Sequence, residues 1–117
     1  LAEKKEEAAA APDLTPFADL DEAMELGEQT YAGACAVCHG NNGEGGVGVA
    51  FAGSDFATNE EHLDEHIDVL INGRAAMPAF GAQLSPREIA AVVTYERNAW
   101  GNDTGDLIQP QDVQDHE

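Results

Sequence analysis

Cys35-Ala36-Val37-Cys38-His39 places two thiols and an imidazole within five residues, and the chain has no other cysteine. Two cysteines three positions apart at a helix end can add to the two vinyl groups along one edge of a porphyrin. The next residue then falls beneath the iron, where a neutral imidazole is a strong axial ligand. This spacing is the attachment signature of haem c, and it predicts one covalent haem held by Cys35, Cys38 and His39. Two other uses of such thiols compete, besides a chance match. A thioredoxin-like disulfide sits in a βαβ pattern that this chain lacks. A structural zinc site asks for a second Cys or His pair.

Met77 is the natural sixth ligand, in Gly73-Arg74-Ala75-Ala76-Met77-Pro78-Ala79-Phe80, 38 residues after His39. A thioether on iron raises the reduction potential, which suits an electron carrier, and Pro78 stiffens the loop that must hold a weak bond. A lone Met more often fills a core. Here the alternative, Met24, lies some three turns before the thiols on the first helix and is poorly placed to reach the opposite face. His62 and His66, four apart, could share a metal, but they flank an apolar stripe without a third ligand and read as solvent-exposed. His116 has no assigned role.

Around the motif the chain reads as all-helical. A first helix is expected from about Asp21 to Cys38, with Ala23, Gly27, Tyr31, Ala34 and Cys38 along one face. Six glycines between 40 and 53 make an irregular loop able to approach something closely. A second helix fits Glu60 to Ile71, stopped by Asn72-Gly73. The third opens on Ser85-Pro86-Arg87-Glu88, a capping box with proline in the first turn. Ile89, Val92, Val93 and Trp100 line its stripe, which Glu96 interrupts. Residues 1–20 read as a linker from a longer parent protein, 21–102 as the domain, and 103–117 as a mobile acidic tail.

The chain has 117 residues, with 23 acidic and only 5 basic side chains, a formal net charge of −18. Such a surface repels nucleic acid and anionic lipid, whose binding rests on Lys and Arg. It favours a basic partner or a salty medium, or it serves only solubility. No stretch reaches the length of apolar sequence that a membrane span needs. A domain of this size is short of core, and a large apolar cofactor would supply what it lacks.

These residues resemble the class I cytochrome c family: the Cys-X-X-Cys-His motif closing a first helix, Met77-Pro78-Ala79-Phe80 downstream, and Tyr95 on the last helix. The resemblance implies an all-α fold in which three main helices and loops wrap one covalent haem c. It also implies that the first and last helices cross, with Gly27 and Tyr31 against the face that carries Tyr95. Many relatives have a proline in the glycine-rich loop whose carbonyl accepts the proximal histidine's ring N–H; Val47 stands at about that place. Arg74 is the candidate partner for a haem propionate, the alternative being an exposed loop charge. Small apolar residues, Val47, Val49, Ala50 and Phe51, are expected around an exposed haem edge.

A narrower likeness runs from Ile71 to Asn102, through Glu88-Ile89-Ala90-Ala91-Val92-Val93-Thr94-Tyr95-Glu96-Arg97-Asn98-Ala99-Trp100-Gly101-Asn102. It is similar to the cytochrome c domain fused to subunit II of some bacterial haem–copper cytochrome c oxidases. That likeness implies electrons taken from a donor cytochrome or other redox protein and passed to the dinuclear copper centre of the parent oxidase. It places the domain on the periplasmic side of the inner membrane. A free-standing shuttle is the nearest alternative, and a haem-based ligand sensor a more distant one. A peroxidase is the least supported, since nothing resembles a distal acid–base pair.

Overall fold

A computed structural model describes residues 12–116; the first half of the predicted linker lies outside them. Six α-helices follow in order: α1 Leu20–Ala34, α2 Ala36–His39, α3 Asp55–Thr58, α4 Leu63–Asn72, α5 Pro86–Asn98 and α6 Pro110–His116, with a 3-10 turn at Glu60–His62 before α4. Among the described residues the only β pairing is an isolated bridge between Arg74 and Met77. The all-helical expectation agrees with this arrangement.

α1 begins at Leu20, one residue earlier than predicted, because Asp19 is the cap and its carboxylate accepts the Glu22 N–H at 2.9 Å. It also stops sooner: Cys35 departs from helical geometry (φ −117°), so the motif straddles a break between α1 and α2. α5 carries the predicted capping box, Ser85 with Glu88 at 3.1 and 2.9 Å. It ends at Asn98, so Trp100, at φ +57°, lies past the helix rather than on its stripe.

The first and last main helices cross as expected. A Cβ built on Gly27 would lie 2.3 Å from the Ala91 carbonyl oxygen and 2.6 Å from Tyr95 Cβ, so only glycine lets the two backbones meet there. Ala90, Ala91, Val92 and Val93 of α5 are all fully buried, which makes this helix the axis of the core. α4 adds Ile67, Leu70 and Ile71.

The acidic segment read as a mobile tail is instead packed. Ile108 and Val113 are buried, and the Thr94 hydroxyl accepts the Ile108 N–H at 2.9 Å. Asp106 pairs with the buried guanidinium of Arg97 at 2.6 Å. Ile108 and the Asp106–Arg97 pair anchor the segment before α6, and Pro110 and Val113 bury α6 itself; none of these contacts depends on a helical period. The described part of the linker is docked too. Phe17 is buried, its N–H donates to Gln109 Oε1 at 2.8 Å, and the Gln109 amide donates back to the Phe17 carbonyl at 3.2 Å.

Candidate functional site

The α1–α2 break turns the motif around a single backbone acceptor. The Cys38 and His39 N–H groups both donate to the Cys35 carbonyl, at 3.2 and 3.0 Å. Cys35 is buried, Cys38 half-buried, and both thiols are free. Burial, reinforced by the charges of Glu96 and Cys38, pushes the Cys35 thiol up to about 12. A dithiol built for disulfide exchange needs a thiol shifted the other way, toward the thiolate, so the thioredoxin-like alternative loses its chemistry. Among the described residues no three His, Cys, Asp or Glu side chains gather as a structural zinc site would ask.

His39 is buried, and its Nδ1 lies 2.8 Å from the Val49 carbonyl oxygen. That contact makes Nδ1–H the donor and leaves Nε2 with the lone pair, the tautomer an axial ligand requires. The acceptor is therefore Val49, not Val47, whose side chain is 89% exposed. The glycine loop folds back through Gly48 N–H to the Cys38 carbonyl (2.8 Å) and Phe51 N–H to the Gly43 carbonyl (2.8 Å). A side chain at Gly48 would meet the His39 ring at 2.5 Å, so glycine there clears the space that the imidazole fills. Of the apolar residues expected at an exposed edge, Val47, Val49 and Ala50 are exposed, whereas Phe51 is buried and stacks on the His39 ring at 4.3 Å between centroids.

Met77 is half-buried against the core. Its loop is tied at both ends: Arg74 and Met77 exchange backbone hydrogen bonds at 3.1 and 2.9 Å, and Phe80 and Gly81 donate to the Leu70 and Ile71 carbonyls of α4. Arg74 points to the surface and pairs with Glu65 at 3.0 Å. Tyr95 belongs to an aromatic cluster with Tyr31 (5.5 Å) and Trp100 (5.2 Å), and the Tyr31 hydroxyl donates to the Gly40 carbonyl at 2.7 Å. That bond ties the end of the motif to the α1–α5 crossing.

The histidines depart most from expectation. His62 is at the surface beside Asp55. His66, read as exposed, is buried, with Nε2 2.6 Å from Glu96 Oε1. The signal lay in the sequence: an acidic residue inside an apolar stripe needs a buried partner.

A haem c fits this residue set. Two thiols flank the motif helix, one imidazole is held in the ligating tautomer, and a thioether sits on a fastened loop, while no equatorial ligands are supplied by the protein. Comparisons with known proteins agree. Residues 22–95 match the family model described as cytochrome c oxidase, cbb3-type, subunit III. The chain belongs to that family of class I c-type cytochrome domains, and its cofactor is a single covalent haem c. It is 34% identical over 102 residues to the cbb3-type cytochrome c oxidase subunit FixP of Azorhizobium caulinodans, spanning 79% of this chain and 30% of that one. It is 33% identical to the cytochrome c subunit of the quinone alcohol dehydrogenase of Gluconacetobacter polyoxogenes, and covers only 21% of that protein's length.

Cytochrome c6 of Gracilaria tenuistipitata var. liui is 36% identical over 87 residues, covering 73% of this chain and 77% of that protein. Among solved structures, cytochrome cL from Methylophaga aminisulfidivorans superposes with a TM-score of 0.58 at 25% identity, over 80% of this chain and 65% of its own. The class I all-α cytochrome c fold is thereby established, and with it haem-based electron transfer as the general activity. No helix among the described residues is long and apolar enough to cross a membrane.

Proposed function

We propose that Cys35 and Cys38 fasten the haem through thioethers, that His39 and Met77 are its axial ligands, and that the domain relays single electrons as part of a cytochrome c oxidase. When bound, the haem supplies a one-electron Fe(III)/Fe(II) couple whose potential a thioether ligand raises. The chain's own residues do the rest. Val49 fixes the His39 tautomer and orientation through its carbonyl, and Phe51 covers one flank of the ring against water. The loop from Gly73 to Gly81 holds Met77 in place. Arg74 would reach a haem propionate by leaving Glu65, an exposed pairing of small strength. The observation that carries this reading is the His39–Val49 hydrogen bond beside two free cysteines.

Val37, Val47 and Val49 are 87%, 89% and 67% exposed, and form an apolar rim about the motif. With so acidic a chain outside that rim, the donor is a basic redox protein that binds weakly and leaves fast. The acceptor is the dinuclear copper centre of an oxidase subunit II to which the domain is fused, on the periplasmic side. The run from Ile71 to Asn102 supports this choice. A free-standing shuttle is the second reading, favoured by the coverage of cytochrome c6.

The experiment is maturation of the chain in a haem-attaching host. The mass should rise by one porphyrin, Cys38→Ala should leave a single thioether, and Met77→Ala should remove the far-red sulfur–iron band of the ferric spectrum. A colourless product overturns the reading. Reduction by a basic donor should slow as salt rises, and electrons should pass to a purified copper-bearing subunit II domain faster than to a soluble acceptor. The reverse preference selects the shuttle.

A further inference from the structure

Glu96 and His66 are 1% and 2% exposed, and their 2.6 Å contact is short enough for a charge-assisted hydrogen bond. The other ring nitrogen of His66, Nδ1, has no hydrogen-bond partner among the described residues. With Glu96 ionised, the neutral ring donates Nε2–H to the carboxylate and turns a bare Nδ1 lone pair into the interior. An acid and a base buried this way are costly where two apolar side chains would fill the same space.

Their position gives them a use. The Phe51 ring stacks on His39 at 4.3 Å and on His66 at 6.0 Å, while Phe56 closes the far side at 5.3 Å. A single aromatic ring thus separates the buried acid–base couple from the imidazole assigned to the iron. The charged and titratable neighbours are otherwise occupied. From α1, Tyr31 feels the Glu96 charge and burial keeps its phenol protonated; Cys35, just past α1, has no proton to exchange once it is a thioether. Arg97, next along α5, is engaged by Asp106. His116 of α6 pairs with Asp68 of α4, and Asp55 of α3 with His62. Asp64 and Glu65, also on α4, are exposed to water.

We infer that His66 and Glu96 form a proton-binding site coupled to the electron that the domain carries. As the domain accepts one electron from its donor, His66 Nδ1 takes one proton from solvent; when the electron passes on, the proton returns. This rests on the haem reading above. Reduction adds one negative charge beyond Phe51. At a separation of roughly 10 Å and an effective dielectric of about 20, that charge makes the site hold its proton about tenfold more tightly. By reciprocity the proton favours the electron equally. The reduction potential therefore falls as pH rises through the window where only the reduced form is protonated, and it is level on either side. The total fall is about 59 mV, the one-electron equivalent of tenfold.

The test measures midpoint potential from about pH 5 to 8, the range over which histidine changes charge. The matured protein should show the fall, and the double variant His66→Leu, Glu96→Leu should be level. A coloured wild type with a level potential, or a double variant that keeps the slope, overturns the inference, whereas a colourless product overturns the haem reading beneath it. If the double variant does not fold, the imidazole resonances of wild-type His66 are titrated in the two oxidation states. Midpoints about one pH unit apart support the coupling, and coincident midpoints refute it.

Discussion

Replacing Gly27 by alanine tests the crossing that sets α1, and with it the cysteines, against α5. The added Cβ would meet the Ala91 carbonyl oxygen at 2.3 Å and Tyr95 Cβ at 2.6 Å. The carbon contact lies roughly 1 Å inside ordinary packing distance. One obstacle is backbone and the other is the root of a side chain, so no rotamer change relieves them, and the helices must separate. Overpacking of this kind costs about 3 kcal/mol at its upper end, offset by about 1 kcal/mol because alanine favours helix over glycine. The net loss is about 2 kcal/mol, or roughly 10 °C in melting temperature for a domain of this size.

Gly33 provides the control within the same helix. A Cβ there meets nothing within 4 Å, so Gly33→Ala should gain up to ~1 kcal/mol from helix propensity alone. Thermal melts of the matured protein, followed by far-ultraviolet circular dichroism, should move in opposite directions for the two variants. A Gly27→Ala protein that melts at or above wild type would show that the crossing is not set by backbone contact.

Gly48→Ala pushes a methyl into the His39 ring, and should lower the yield of low-spin haem after maturation while secondary structure is retained; an unchanged yield and spectrum contradict it. Burial holds the Tyr31 phenol well above its ordinary value of 10.0, with Glu96 adding to the effect. The unfolded chain therefore loses that proton first, and stability present below pH 10 should fall as pH rises beyond it. Urea midpoints measured across that range check the direction, and Tyr31→Phe should flatten part of the fall. Asp106→Ala strands the buried Arg97 guanidinium; because Asp106 itself is half-exposed, the loss should be about 2 kcal/mol rather than the larger cost of a fully buried pair, read from denaturant midpoints.

How much of this was legible in the sequence depends on how local each signal is. The Cys-X-X-Cys-His motif, the Ser85–Glu88 box and Gly27 speak within one turn or one helix, and each stands where it was expected. The proximal carbonyl was misplaced by two residues because a loop of glycines has no period to count along, and only the closed hydrogen bonds show that Val49 faces His39. The last helix escaped notice because Ile108 and Val113 are too sparse to make a stripe. The segment is fixed from another element, Ile108 by Thr94 and Asp106 by Arg97. His66 was misread from its own helix. Its partner lies thirty positions away, and the irregularity at Glu96 was a clue to a pairing, not a defect in the pattern.

The clasp between Phe17 and Gln109 bears on how the domain can be handled mechanically. Arg87 grips the same segment, donating to the Thr15 carbonyl at 3.0 Å and resting 4.3 Å over the Phe17 ring. A tug arriving along residues 12–16 is therefore divided among the start of α5, the segment leading into α6 and, through Glu22, the first turn of α1. The load is shared out at one pole of the molecule, and the cysteines at the other end of α1 are shielded from it.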